Sequence, residues 1–292
     1  MTPNSIRRAA MRRPSVRKFV SASMAAAAVT IAIFAGCSGG EPFAPNALRT
    51  AYGPAQALGD GTARTYVTFD NAGRPKAIGV ALSERALMNL PQTPMHPSPS
   101  AAMLMLAPPL EAAATGIDHV MLDWNPAGHE PEHVYTLPHF DFHFYTIGTG
   151  EQMAIVPTNA QFAERASRLP AADYVPEGYI SAHGPMGVTP AAATIPAMGL
   201  HWIDGAAPEL HGQTFTGTFL YGSYDGGFIF FEPMITKAYI ESAKMAPAYT
   251  LAAPVKLPAK YSRPGYHPTR YTIQWDAAAR EYRIALDALV QH

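Results

Sequence analysis

The sequence predicts a mainly β protein, a β-sandwich or barrel-like fold with two or three short helices in a single domain. Two observations support this prediction. The chain has 28 prolines and 23 glycines, but charged residues make up only 15% of it, which favours many turns over long helices. Short segments with alternating polar and apolar residues also recur between turn-forming residues, as in antiparallel sheets.

The elements can be assigned in order along the chain. The turn residues 70–73 separate the first two predicted strands, and Ser83 caps a short predicted helix that ends before Pro91. Thr158 precedes a predicted helix over residues 160–169. Seven to ten strands are expected, among them residues 65–69, 76–82, 118–124, 139–145, 198–204, 215–223, 228–236, 270–275 and 281–286.

The N-terminus has the pattern of an export signal. Residues 7–18 contain six basic side chains, an apolar run follows from Phe19 to Ile33, and no acidic residue occurs before Glu41. This run of about 15–18 apolar residues is short for a permanent span, which needs ~20. We therefore expect residues 1–36 to be a signal peptide.

Ala35-Gly36-Cys37 resembles the lipobox of bacterial lipoproteins, in which the cysteine is acylated. Cys37 is the only cysteine of the chain, so a disulfide within the chain is excluded, and lipidation would give this exported thiol a role. A secreted protein with a stray cysteine is the alternative. Residues 37–61 are predicted to be a flexible tether to the lipid, and residues 62–290 the β-rich domain.

Removal of the signal makes the protein acidic. Six of the 21 Lys and Arg residues lie in the signal, which leaves 15 against 22 Asp and Glu, a net charge of 15 − 22 = −7. Nucleic acid is therefore not expected as a partner. The sequence has no Gly-x-Gly-x-x-Gly or phosphate-loop motif, so no nucleotide or flavin is expected. The predicted location is the cell envelope, at the outer membrane facing the periplasm if the cell is Gram-negative.

The stretch His139-Phe-Asp-Phe-His-Phe-Tyr145 predicts a strand with one apolar and one polar face. His139, Asp141, His143 and Tyr145 share the polar face. Neighbours on that face lie ~6.6–7 Å apart, so adjacent pairs can bind one ion, whereas His139 and His143 cannot do so on a flat strand.

The remaining ligands must come from other parts of the chain. His201 and Glu232 lie in two further predicted strands, and His129 and Glu130 follow a turn at Gly128. We predict a mononuclear site whose ligands come from His139, Asp141, His143, His201 and Glu232, with His129, Glu130 and Tyr145 around them. Histidine and carboxylate ligands with an open position suit Zn²⁺, Fe²⁺ or Mn²⁺.

A simpler interpretation is that the polar strand face is solvated, as in many antiparallel sheets. His201 would then be a hydrogen-bonded core histidine and Glu232 a solvated strand end. A second hypothesis is a non-enzymatic binding or assembly protein of the envelope, in which the histidines and carboxylates form a structural hydrogen-bond network and bind no ion.

Four segments together resemble a family of uncharacterised bacterial exported proteins, many of them lipoproteins: HEP, PHFDFHFY, MGLHW and YGSYDGGFIFFEPMIT. The resemblance covers roughly residues 61–286. It implies one domain but no particular reaction. If the protein is an enzyme, metal-activated water in hydrolytic or lyase chemistry is expected. Membrane attachment through lipidated Cys37 is the predicted partner interaction, a homo-oligomer is an open alternative, and the small-molecule ligand is not indicated.

Overall fold

A computed structural model describes residues 48–95 and 98–292. The predicted signal peptide, Cys37 and the tether up to residue 47 lie outside the described residues. The described chain forms a mainly β domain with two seven-stranded sheets whose strands pair antiparallel, which confirms the predicted fold class.

The first sheet has the strand order β1-β3-β4-β15-β14-β12, and β2 pairs with the far end of β3. Its strands are β1 (Arg49–Tyr52), β2 (Gln56–Leu58), β3 (Gly61–Phe69), β4 (Pro75–Ser83), β12 (Thr250–Pro254), β14 (Arg270–Asp276) and β15 (Glu281–Asp287).

The second sheet has the order β5-β6-β7-β11-β10-β9-β8. Its strands are β5 (Ala102–Leu106), β6 (His119–Asn125), β7 (His139–Tyr145), β8 (Tyr179–Ser181), β9 (Leu200–Asp204), β10 (Gly217–Tyr224) and β11 (Gly227–Thr236). A separate small pair joins β13 (Tyr266–His267) to β16 (Val290–Gln291).

The helices are short and lie mostly in the connections. The α-helices are α1 (Thr149–Met153), α2 (Phe162–Ser167), α3 (His183–Met186), α4 (Pro190–Ala193) and α5 (Lys237–Ser242). Turns of 3-10 helix occupy Glu84–Leu87, Leu110–Thr115, Ala172–Tyr174, Pro208–His211, Ala243–Met245 and Pro247–Tyr249. Among the described residues, none of the helices has the length and apolar character needed to cross a bilayer.

The predicted tether is wrong in its second half. β1 and β2 both pair with β3, so the ordered domain already includes residues 49–58. These strands have four and three residues, too few to show an alternation in the sequence. The helix predicted over residues 160–169 is confirmed in shortened form as α2.

The main core lies between the two seven-stranded sheets. Phe140, Phe142 and Phe144 on β7 are fully buried and belong to one cluster with residues of the first sheet such as Val67 and Ile284. Their burial fixes the direction of the other β7 side chains, because successive residues of a strand point to opposite faces. The polar residues of β7 therefore point away from the first sheet.

The polar face of β7 is nevertheless buried, so the alternative interpretation of a solvated strand face is wrong. His139, Asp141 and His143 are at most 6% exposed. Apolar residues from the connecting segments, such as Ile155 and Phe215, belong to two smaller clusters with residues of this outer face of the second sheet. The polar residues lie between these two clusters, where bulk water cannot solvate them.

Candidate metal centre

Strand register aligns the polar residues of β6, β7 and β11. In the β6–β7 pair Asp123 lies opposite Asp141, and Asn125 lies opposite His139. The β7–β11 pairing runs from Phe144 opposite Phe231 to Asp141 opposite Met234, which places Glu232 opposite His143. Directly opposed side chains share a face and are close neighbours.

His201 reaches the same face from β9, on the far side of β10. It lies opposite Gly222 of β10, where a Cβ atom would be 1.9 Å from the ring of Phe230. Gly222 therefore leaves room for that ring, which lies 5.0 Å from the imidazole of His143 and 5.2 Å from that of His201, between centroids. Phe230 forms an apolar wall beside both histidines.

The five predicted ligands do not meet at one point but belong to two groups of three residues. His143, His201 and Glu232 form the first, called the His143 group; His129, His139 and Asp141 form the second, called the His129 group. Within each group, one candidate ligand atom per residue lies within 4.8 Å of the others. His139 and His143 fall into different groups, in keeping with their distance along the strand.

In the His143 group both histidines face the same carboxylate. His143 Nε2 lies 3.5 Å from Glu232 Oε1, and His201 Nε2 lies 3.3 Å from Glu232 Oε2. On its other side, His143 Nδ1 lies 3.4 Å from Asp123 Oδ2. The side chain of His201 is 16% exposed, compared with 1% for His143, so the group is nearest to solvent at β9.

In the His129 group both histidines face Asp141. The distance from His139 Nε2 to Asp141 Oδ1 is 3.3 Å, and that from His129 Nε2 to Asp141 Oδ2 is 3.5 Å. Asn125 Nδ2 donates a hydrogen bond of 2.7 Å to Asp141 Oδ2. His129 is the most exposed member, with 22% of its side chain accessible.

A tight loop after β6 brings His129 to this group. Gly128 has a left-handed φ of 71°, and a Cβ at this position would be 2.1 Å from the carbonyl oxygen of Tyr135. The amide of His129 donates to that same carbonyl over 3.0 Å. Only glycine fits here, and the resulting contact directs the imidazole of His129 toward β7.

The spacing of these nitrogen and oxygen atoms fits a shared metal ion and is longer than that of ordinary hydrogen bonds. N–H···O bonds have donor–acceptor distances of ~2.9–3.0 Å, whereas two ligands ~2.0–2.1 Å from a tetrahedral Zn²⁺ lie about 3.3–3.4 Å apart. The four histidine–carboxylate distances in the two groups are 3.3–3.5 Å. These distances are close to the separation of two ligand atoms in such a tetrahedron.

Polar atoms without a hydrogen-bond partner are concentrated here. Of thirteen buried side-chain atoms without a partner in the described chain, eight belong to this region. They are Oδ1 and Oδ2 of Asp123, Oδ1 of Asn125, Nε2 of His139, Oδ1 of Asp141, Nδ1 and Nε2 of His143, and Oε2 of Glu232. Buried polar atoms are normally satisfied, so these atoms are the ones in this region that are available to bind an ion.

Without a metal, protons on histidine would supply the positive charge. Burial lowers the pKa of His143, but Glu232 and Asp123 outweigh it and raise that pKa to about 9. Burial likewise opposes the charged form of His129, while Asp141 raises its pKa to about 9. Within residues 48–95 and 98–292, no Lys or Arg forms an ion pair with these three carboxylates.

The pKa values of Asp123 and Asp141 are shifted in opposite directions. Burial raises the pKa of Asp123, and His143 only partly offsets this effect. Burial also raises the pKa of Asp141, but His139 and His129 outweigh it and hold that pKa well below its usual value. Asp141 is thus held in its ionised form, whereas burial disfavours the charged form of Asp123.

Of the three residues predicted to surround the site, His129, Glu130 and Tyr145, only one belongs to a ligand group. His129 is a member of a ligand group. Glu130 contributes only its backbone carbonyl, which accepts a hydrogen bond from His129 Nδ1, and its side chain is exposed. Tyr145 is buried, stacks on His119 and donates its hydroxyl to the carbonyl of Ala197, so it belongs to neither group.

Asp123 and Asn125 were not predicted as site residues. Asp123 lies in the strand predicted over residues 118–124 and Asn125 directly follows it, but their position beside β7 depends on the β6–β7 register. His119, on the same face of β6, is not a ligand candidate. Its ring nitrogens are 2.9 Å from Asp118 Oδ1 and 2.8 Å from Gln152 Oε1.

Comparison with known proteins gives one short match. Residues 70–124 match a family model described as "TTHB210-like: Hypothetical protein TTHB210". The matched segment runs from the end of β3 to Trp124 and includes Asp123, but none of the six residues of the two groups. No curated protein and no solved structure matches the chain. The resemblance to an exported family, based on motifs, stays a prediction.

Proposed function

We propose that the protein is a cell-envelope lipoprotein whose β domain binds a divalent metal ion at the His143 group. The observation that carries this proposal is the set of buried, unpartnered nitrogen and oxygen atoms spaced like metal ligands. His143 Nε2 and Glu232 Oε2 make no hydrogen bond, although the opposing histidine and carboxylate atoms are only 3.3–3.5 Å away. An ion between them would satisfy these atoms at once.

The ligand set favours Zn²⁺, Fe²⁺ or Mn²⁺. Two imidazoles and one carboxylate leave a fourth position for water or substrate, and the partly exposed His201 marks the side from which it would be reached. Water on such an ion is a nucleophile near neutral pH. Hydrolytic or lyase chemistry on a small molecule is therefore the reaction class that we propose.

Metal content tests this proposal. The full chain, purified in detergent and loaded with Zn²⁺, would be compared with His201→Ala and Glu232→Gln by elemental analysis after gel filtration. Each substitution is expected to remove one equivalent of Zn²⁺, because His201→Ala removes an imidazole ligand and Glu232→Gln replaces the charged carboxylate with a neutral amide, a much poorer ligand. His211→Ala is the control, since His211 is exposed and its Nε2 contacts only the Gly205 carbonyl. Unchanged metal content in both variants would contradict the proposal.

One observation favours a second candidate function. The raised pKa values of His129 and His143 mean that imidazolium ions could balance the carboxylates without any metal. The histidines and carboxylates would then form a structural hydrogen-bond network in a non-enzymatic binding or assembly protein of the envelope. The pH dependence of stability, described in the Discussion, distinguishes this candidate from the metal site.

The membrane anchor is a separate part of the proposal, supported by the lipobox-like sequence before Cys37. Cys37→Ser is expected to move the protein from the detergent phase to the aqueous phase in Triton X-114 partitioning, because the acylated thiol is lost. Ser38→Ala serves as the control and should leave partitioning unchanged. Equal partitioning of Cys37→Ser and the unmodified sequence would show that Cys37 carries no lipid.

A further inference from the structure

The His129 group has the hydrogen bonding expected of metal-binding histidines. The Nδ1 of His129 lies 2.7 Å from the carbonyl oxygen of Glu130, and the Nδ1 of His139 lies 2.7 Å from that of Leu137. A carbonyl oxygen can only accept, so both rings must carry a proton on Nδ1. In their neutral forms, the lone pair is then on Nε2, as in many metal sites where the second ring nitrogen donates to a carbonyl.

Both Nε2 atoms point at the same carboxylate. They lie 3.3 and 3.5 Å from different oxygens of Asp141, and His139 Nε2 and Asp141 Oδ1 are buried with no hydrogen-bond partner. Asn125 donates to the other oxygen, Asp141 Oδ2, over 2.7 Å and so orients the carboxylate. The unpartnered atoms therefore face a common point between three oriented side chains.

This point is distinct from the His143 group. No residue belongs to both groups, and Asp141 and His143 are one step apart on the strand face, ~6.6–7 Å. Paired ions in two-metal sites are about 3.5–4 Å apart. The arrangement fits two separate ions rather than a bridged pair.

We infer that the domain binds a second divalent metal ion, held by His129 Nε2, His139 Nε2 and the Asp141 carboxylate. The chemical class is the same as for the first ion, since two imidazoles and a carboxylate suit Zn²⁺, Fe²⁺ or Mn²⁺. The inference goes beyond the proposed function and is independent of it, because each ion has its own ligands.

The test counts ions in the detergent-purified full chain after loading with Zn²⁺ and gel filtration. The unmodified chain is expected to hold about two equivalents, one for each group, and both His129→Ala and Asp141→Asn should retain one. His133→Ala is the matched control, because His133 lies in the same loop and its side chain is 89% exposed. It should retain both ions.

The variants also separate this inference from the proposed function. Loss of one ion in His129→Ala but none in His201→Ala would support the second site and reject the first. Loss in His201→Ala alone, with His129→Ala and Asp141→Asn unchanged, would overturn the inference. Asp141→Asn is nearly isosteric and His129 lies on a loop, so circular dichroism should show folded protein for both. If either variant is unfolded, the unmodified chain decides. Two equivalents of Zn²⁺ in it support the inference. A single equivalent that is lost in His201→Ala overturns the inference.

Discussion

Chelation of the proposed metal ion is expected to reverse the way in which the free energy of unfolding changes with pH. In the metal-free protein, His129 and His143 have pKa values of about 9, against ~6.5 in an unfolded chain. Because the folded state holds these protons more tightly, their stabilising effect is fully present below pH ~6.5. It is lost as pH rises toward about 9, and a shift of this size corresponds to roughly 3 kcal/mol for each histidine.

The groups that face these histidines determine the sign. Asp123 on β6, Glu232 on β11 and Asp141 on β7 raise the pKa of His143, against the effect of its burial. Asp141 and Glu232 raise that of His129, which also contacts the rings of Tyr135 and His139. Both histidines thus contribute stability on the acid side of the window from pH ~6.5 to about 9.

The metal-loaded protein should show the opposite trend, because metal ligands must be deprotonated and binding releases protons. At a free Zn²⁺ concentration 1,000 times Kd, one ion adds about 4 kcal/mol to the free energy of unfolding. Urea denaturation at pH 6.5, 7.5 and 9, with either chelator or Zn²⁺ present, measures both trends. Superimposable curves with and without chelator would favour the structural hydrogen-bond network over the metal site.

Asp123→Asn is expected to weaken Zn²⁺ binding at the His143 group by about 10–100-fold, the usual effect of losing a carboxylate behind a metal-binding histidine. Asp123 Oδ2 lies 3.4 Å from His143 Nδ1, and neither Asp123 oxygen makes a hydrogen bond. With metal on Nε2, the Nδ1 proton of His143 would face this carboxylate. The nearly isosteric amide keeps the volume but removes the charge that orients and polarises the ring.

Asn125→Ala is the matched variant on the same strand. Asn125 donates to Asp141, so its loss should weaken the His129 group and leave the His143 group unchanged. Competition titrations with a chromophoric chelator give both affinities. Equal weakening of both groups by Asp123→Asn would mean that it acts on the fold as a whole rather than on His143.

The sequence predicted the parts of the fold that depend on local alternation. The bounds predicted for β7 agree with the structure, the strands on either side of residues 70–73 pair with each other, and so do the strands predicted over residues 270–275 and 281–286. In these segments the alternating residues and the turn residues indicate the same conformation. β1 and β2 were missed because their conformation depends on pairing with β3 rather than on their own few residues.

The site was predicted only as far as its residue types and their strand faces. His139, Asp141 and His143 were placed on one face, and His201 and Glu232 were expected to approach it. Their division into two groups depends on the order β7-β11-β10-β9, which no local pattern encodes. The burial of this face, and the part played by Asp123, likewise depend on contacts between distant segments.

The enclosure of the two groups also bears on which metal ion would occupy the proposed sites. Only His129 and His201 have appreciable exposure, and the other members are covered by the segments that carry Ile155 and Phe215. An ion therefore has a direct route to each group past the imidazole of His129 or of His201, while the other sides are closed. First-row metals compete for such ligands largely according to their supply. The metal supply of the surrounding compartment would then decide which of these ions occupies the proposed sites.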